Sequence, residues 1–585
     1  MASSGISVSD SSVLRSPIKS HGADPEKGSD SFRQTAAENE TIQGLETSPE
    51  TALHRGLKAR HISMIAIGGA LGTGLLIGTG KALAQAGPAS LFIGFTLVGA
   101  LVFATMASLG EMAAWLPLSA GFTGYASRYC HPSVGFALGY TYLMKYLIIT
   151  PNQLVAGSLV IQFWIPREKV NPGVFVAIFL VIILSINYFG GIRFFGEFEF
   201  WLSSFKVVVI VGLILFSLII AAGGGPNGDA PGFRYWSDPG AFAPLYATGA
   251  LGKFIGFWSV MVFSTYAFLG IELVAVTSAE AQNPRRSIPK AIKLTFYRIL
   301  IFYVLSVFLI GLCVPYNSPE LAFANKSNTS ASASPFVVAA KLAGVQILPH
   351  IINSSLLLFI LSASNTDLYI CSRTLYGLAS ARAAPAIFRR TNSHGVPVPA
   401  LLTCSAMACL AFMVVSDDSK KVFSYFVNLT TVFGILSWVS LLVTYIFFLK
   451  GRRAQNIPDS AMPYVAPQGL IGTYVALAFC ILVTLTKNFD VFIKHDGMEF
   501  DYKSFITGYI GLPIYLILLF GHKYFTKSRG IKPHDVDFYS GKDIVDNEEK
   551  AFLEMQIAER EPLFVRGGSG VCPPPPGSDN ASENP

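Results

Sequence analysis

Between residues 62 and 525 the chain is a succession of continuous apolar runs, and this feature decides what it can fold into. A helix that crosses a bilayer needs about 20 consecutive apolar residues. Twelve such runs are read: residues 62–83, 90–113, 134–163, 174–189, 200–222, 254–278, 294–314, 350–375, 400–415, 423–449, 470–486 and 505–525. They are continuous, not alternating, which selects helices over the strands of a barrel. Only 14% of the chain is charged and 52% is hydrophobic, against about 25% charged in a soluble domain. The expected fold is therefore an all-α integral membrane protein with twelve transmembrane helices over residues 57–527. A polar N-terminal tail (1–56) and a C-terminal tail (528–585) flank it. The first fifty residues lack the apolar segment of a cleavable signal, so insertion is expected to begin at the first internal run.

Other classes fit poorly. The seven cysteines are scattered, with neither a metal-binding spacing nor a disulfide framework. The nine histidines, among them His61, His350 and His394, form no metal or acid–base cluster, which disfavours a membrane enzyme. No metal, cofactor or nucleic acid is expected. The partner expected from composition is the lipid bilayer.

Orientation follows from cations in short loops. Arg285, Arg286 and Lys290 follow the sixth run, and Arg382, Arg389 and Arg390 the eighth. Lys450, Arg452 and Arg453 follow the tenth, and Lys523, Lys527, Arg529 and Lys532 the twelfth. All fall on one side, so both termini are expected in the cytoplasm. The other side carries glycosylation patterns at Asn325 and Asn328, and also Arg167, Lys169, Lys420 and Lys421, so the asymmetry is incomplete. Residues 536–560 are expected to form a short amphipathic helix in the C-terminal tail.

The placement of glycine is informative. Gly68, Gly69, Gly72 and Gly74 crowd the first run, each weakening a helix by about 1 kcal/mol relative to alanine. In the sixth run Ser264, Thr265 and Gly270 interrupt the apolar sequence, and Glu272 lies inside it. A helix opened inside a membrane must find other partners for its backbone. Freed N–H groups suit an anion, and freed carbonyls a cation. Breaks in the first and sixth helices are what a 5+5 inverted repeat with two additional helices gives, with the cargo held at the midplane between them. An amino acid zwitterion matches that pair of sites. Close packing of small residues is the competing explanation for either segment alone.

Ionisable groups inside a bilayer are costly and tend to be functional. Lys206 and Glu272 are assigned to proton coupling. The alternatives are a lysine snorkelling to the nearby interface and a carboxylate satisfied within the bundle. Glu111 reads as a structural anchor. Lys145 shares one helix face with Ile149 and Gln153. That face offers a cation and an amide without an acid, which suits an anionic cargo side chain and disfavours a cationic one.

At these residues the chain resembles the fungal amino acid permeases of the amino acid–polyamine–organocation superfamily. The motifs are RHISMIAIGGALGTG (60–74), GPAS (87–90), GFTGY (121–125), SAEAQNPRRSIPK (278–290) and SRTLY (372–376). Within that family it is most similar to the dicarboxylic amino acid permeases, on KYLIITPNQ (145–153), RFFGEFEFWLSSFK (193–206), FRYWSDPG (233–240) and ITGYIGLP (506–513). The resemblance implies a proton-driven importer of glutamate and aspartate at the plasma membrane. It implies that the backbone of Gly68, Gly69, Gly72 and Thr73 takes the cargo α-carboxylate. Carbonyls at Ile67, Tyr266, Ala267 and Leu269 would take the α-amine, with Tyr266 as an aromatic lid. In the family's basic amino acid permeases an acid occupies the position of Gln153, so arginine and lysine are disfavoured as cargo. Three expectations remain beside this one: neutral amino acids as further cargo, a general or neutral permease of the same family, and an amino acid sensor that does not transport. The tails carry no more than an expected contact with trafficking or ubiquitin-ligase machinery.

Overall fold

The computed structural model describes residues 72–118, 121–272, 284–321, 334–392, 395–493, 500–543, 545–547, 549–550 and 553–554. Its principal elements are helices. A π-helical turn, Gly74–Gly78, leads into α1 (Thr79–Ala86), followed by α2 (Pro88–Trp115), α3 (Gly121–Tyr129), α4 (Pro132–Ile161), α5 (Pro172–Phe189) and α6 (Gly191–Ala221). Next come α7 (Gly249–Phe268), then α8 (Pro284–Arg298) and α9 (Ser306–Cys313) joined by the π-helical stretch Ile299–Leu305. The chain continues through α10 (Pro335–Leu342), α11 (Leu348–Ser380), α12 (Val398–Ala408), α13 (Ser419–Ala454), α14 (Gly469–Thr486), α15 (Tyr502–Tyr509) and α16 (Gly511–Thr526).

Local chemistry places many of the ends. Proline opens α2, α4, α5 and α10, where the missing N–H is not needed. Asn171, Asp418 and Asp501 accept bonds from backbone amides at the starts of α5, α13 and α15.

Ten helical segments among the described residues are long and apolar enough to cross a membrane. They correspond to the second expected run and to the fourth through twelfth. The third run is α4, a 30-residue helix that carries Lys145. The first run is described only from Gly72 onward. The eighth is one continuous helix, α11, through Asn365 and Ser372. The ninth is a short α-helix tightened into a 3-10 turn over Cys409–Val415.

Helices α4 and α13 form the centre, packed on each other, with α11 against α4 on one flank and α2 against α7 on another. Helices α5, α6, α14 and α16 turn large apolar side chains outward, among them Val181, Val208, Ile471 and Phe525. A bilayer accepts such surface without cost.

At one end of the bundle the C-terminal residues lie against the helices as a strap. Trp115 Nε1 donates to Phe538 O at 3.0 Å, and Gln455 Nε2 to Val536 O at 2.6 Å. Arg128 donates to Asp537 O and Ser540 O and pairs with the Asp537 carboxylate. Phe538 is buried and stacks on Tyr129. Arg285, at the start of α8, pairs with Asp546 and Glu549. Residues 542–543, 545–547, 549–550 and 553–554 are helical, within the stretch expected to be amphipathic. Sequence reasoning gave the helix and did not foresee its docking.

Candidate functional site

Helix α7 stops at Phe268, within the expected sixth run. Leu269 is extended (φ −63°, ψ 141°), and Gly270 takes φ +94°, a conformation that favours glycine. The turn continues to Glu272, and residues 273–283 lie outside the described residues. The π-helical turn Gly74–Gly78 packs against α7 at this level. A Cβ on Gly74 would lie 2.5 Å from Ala267 Cα, so the two segments meet main chain to main chain.

Side chains from four elements converge there. Thr73 Oγ1 donates to Gln153 Oε1 at 2.9 Å and lies 3.0 Å from the Tyr266 hydroxyl. Asn152 Nδ2 donates to that hydroxyl at 2.8 Å. Gln153 Nε2 donates to Asp367 Oδ2, on α11, at 3.2 Å. Residues 152 and 153 follow Pro151, which removes one backbone donor from the interior of α4. The threonine, tyrosine, glutamine and aspartate thus link the first-run segment to α7, α4 and α11.

Two ion pairs flank this network. Lys145, fully buried on α4, pairs with Glu272. Its ammonium also lies 4.9 Å and 4.5 Å from the ring centres of Tyr142 and Tyr146, within cation–π range. The Glu272 carboxylate accepts from Gly270 N at 3.2 Å, so the lysine is fastened to the turn that ends α7. Lys206, on α6, lies 3.5 Å from Glu199. Glu199 accepts from Ser203 Oγ at 3.0 Å and from Ser362 Oγ at 2.8 Å and 2.9 Å.

The structure brings Gly72, Thr73, Lys145, Tyr266, Ala267, Leu269 and Glu272 into one neighbourhood and sets Lys206 on its α6 flank. Gly72 lies beside Gln153. Ile67, Gly68 and Gly69 lie outside the described residues. Tyr266 O already accepts from Leu269 N at 3.2 Å, and its second lone pair is the one left for an amine.

Three features differ from expectation. The cation–amide face of α4 carries no acid of its own, but Glu272 and Asp367 reach it from other elements. Lys206 was placed near a helix end, but α6 begins at Gly191, which leaves it midway along and removes the snorkelling explanation. Asp367 and Glu199 were missed altogether. Asp367 is the acid in the middle of the eighth run, the same signal that singled out Glu272. Glu199 was passed over because the fifth run was started one residue after it.

The amino acid permease family model matches residues 61–531. A dicarboxylic amino acid permease of Saccharomyces cerevisiae is 55% identical over 89% of this chain and 85% of its own length. A proline-specific permease of Emericella nidulans is 39% identical over 86% of this chain and 91% of its own. A general amino-acid permease of Saccharomyces cerevisiae is 38% identical over 88% and 84%. The chain therefore belongs to the amino acid permease family, a family of membrane transporters and not of enzymes.

Proposed function

We propose that this permease imports amino acids across the plasma membrane with protons, and that its preferred cargo is L-glutamate and L-aspartate. The observation that carries the reading is the Lys145–Glu272 pair beside the end of α7. A buried cation held by one carboxylate can exchange that partner for another of the same chemistry. A proton taken up by Glu272 would release the ammonium, and the cargo's side-chain carboxylate would replace it. Proton entry and acidic-cargo entry would then be one event, with charge conserved at the lysine. The α-carboxylate would meet the backbone of Gly68, Gly69, Gly72 and Thr73, and the α-amine the carbonyls of Ile67, Tyr266, Ala267 and Leu269, under the Tyr266 ring.

Twelve spans in a 5+5 inverted repeat with two further helices, with both termini cytoplasmic, suit this mechanism. The first, second, sixth and seventh spans would rock against the rest. The 55% identity to a dicarboxylic amino acid permease supports the acidic cargo. One observation favours a broader range: Lys145 already has its counter-ion, so a neutral amino acid enters without disturbing the pair. The test is a competition panel against labelled L-glutamate uptake at several external pH values. L-Aspartate should compete best, serine weakly and arginine not at all, with uptake rising as external pH falls. Equal competition by all neutral amino acids would refute the acidic preference, and pH-independent uptake would refute the coupling.

A further inference from the structure

Among the described residues the centre of the molecule buries three cations, Lys145, Lys206 and Arg298, and three carboxylates, Glu199, Glu272 and Asp367. Lys145 is closed by Glu272, and Lys206 by Glu199. Arg298, on α8, lies beside Tyr303, and Asp367 is the carboxylate that no cation contacts. It lies midway along α11 and is 8% exposed. It accepts one neutral bond, from Gln153, and no lysine or arginine among the described residues lies within ion-pair distance of it.

The titratable groups around it can be named. Helix α4 presents Lys145, Tyr142 and Tyr146; α6 presents Lys206 and Glu199; α7 presents Tyr266. On its own helix Cys371 is one turn away, with Cys404 of α12 beside it. Helix α5 offers the neutral Asn187, which is bonded to Asn365. Both lysines already serve other carboxylates, so an ionised Asp367 stands with no cation in contact with it in a medium of low dielectric.

We propose that Asp367 is a proton-carrying residue of the transport cycle, protonated when cargo is bound and ionised when it is not. The reasoning rests on the transport reading above and deepens it by asking which buried carboxylate lacks a contacting cation. Glutamate brings a net charge of about −1 at neutral pH. With Asp367 ionised, it would enter beside a carboxylate that no cation contacts. With Asp367 and Glu272 both protonated, the cargo carboxylate takes Lys145, Glu199 keeps Lys206, and neither protein carboxylate is left ionised without a contacting cation. A neutral amino acid leaves the Lys145–Glu272 pair closed and needs only the proton on Asp367. The contact to the cargo is short: Asp367 holds Gln153, Gln153 holds Thr73, and Thr73 meets Tyr266. Binding of proton and cargo favour each other reciprocally.

The protein in proteoliposomes, with an internal pH dye and labelled L-glutamate or L-serine, tests this. The wild type should admit about two protons with each glutamate and about one with each serine. Asp367→Asn, which fixes the neutral form, should remove one proton from both counts, end uphill serine uptake and flatten the pH dependence of serine exchange. An Asp367→Asn protein with unchanged proton counts overturns the proposal. Failure of the wild type to move either cargo would instead refute the transport reading. Should the asparagine variant not fold, Asp367→Glu keeps the carboxyl and displaces it by one methylene. It should shift the pH midpoint of serine exchange, and no shift would equally overturn the proposal.

Discussion

Two regions of this molecule bury ionised side chains, and they do so differently. At the strap end Glu111 accepts from the Tyr445 hydroxyl at 2.5 Å, from Ala466 N at 2.7 Å and from Arg452, which also holds Asp459. In the centre Asp367 accepts one bond at 3.2 Å, and Lys206 stands 3.5 Å from the Glu199 carboxylate, long for a hydrogen bond. A buried charge saturated with donors resists rearrangement, whereas one held by a single long contact can change partner or protonation. The first region reads as a fastening, as expected for Glu111, and the second as the moving chemistry.

The largest expected effect would break this contrast most directly. Arg452→Leu strips a partner from a buried carboxylate and should destabilise the fold by roughly 3–5 kcal/mol, read as a lowered thermal unfolding midpoint in detergent. Lys206→Ala should lower that midpoint far less while abolishing uphill accumulation of glutamate. If it unfolds the protein as severely, the centre is also a fastening and the contrast fails. Lys145→Gln sharpens the comparison within the centre. Loss of a charged hydrogen bond of about 1.5–3 kcal/mol should raise the apparent KM for glutamate roughly ten- to a hundredfold, with only a small change for serine. Equal changes for both cargoes would remove Lys145 from side-chain recognition.

The smallest effect concerns the strap. Burial works to raise the Asp537 carboxyl, but amide bonds from Ser540 and Tyr539 and the Arg128 charge outweigh it, so it lies below its ordinary value. A carboxylate lowered on folding contributes stability above its unfolded value, about 3.9. That contribution is lost as pH falls through the lower folded value. The carboxylate is also 44% exposed, which keeps the effect modest. Protease cleavage within residues 531–554 should therefore be flat between about pH 5 and 8 and rise only in stronger acid. A rise near neutrality would show that another group controls the strap.

Much of the helical framework was legible because lipid imposes a length and a composition on each segment. The break in the sixth run was legible too, since Gly270 and Glu272 are anomalous in apolar sequence. What escaped was pairing across the bundle. Nothing in residues 145–153 says that Glu272 folds back from the end of another helix to reach Lys145. Nor does residue order say that Gln153 bridges Thr73 and Asp367, because that follows from the rotation of α4 against α11. The position of Lys206 escapes for a related reason: an apolar run read from residue 200 puts it near an end, yet α6 starts at Gly191 and Glu199 within it is buried. The strap was hidden because four of its anchors are backbone carbonyls, which every residue carries.

The meeting of Gly74 with Ala267 also has a mechanical reading. The spacing of the two segments at this point is set by a missing carbon atom. A single methyl group there would act as a shim, meeting Ala267 Cα at 2.5 Å and Ala267 N at 2.9 Å and prising the pair apart. Divergence at that one position would change how closely the first-run segment can approach α7.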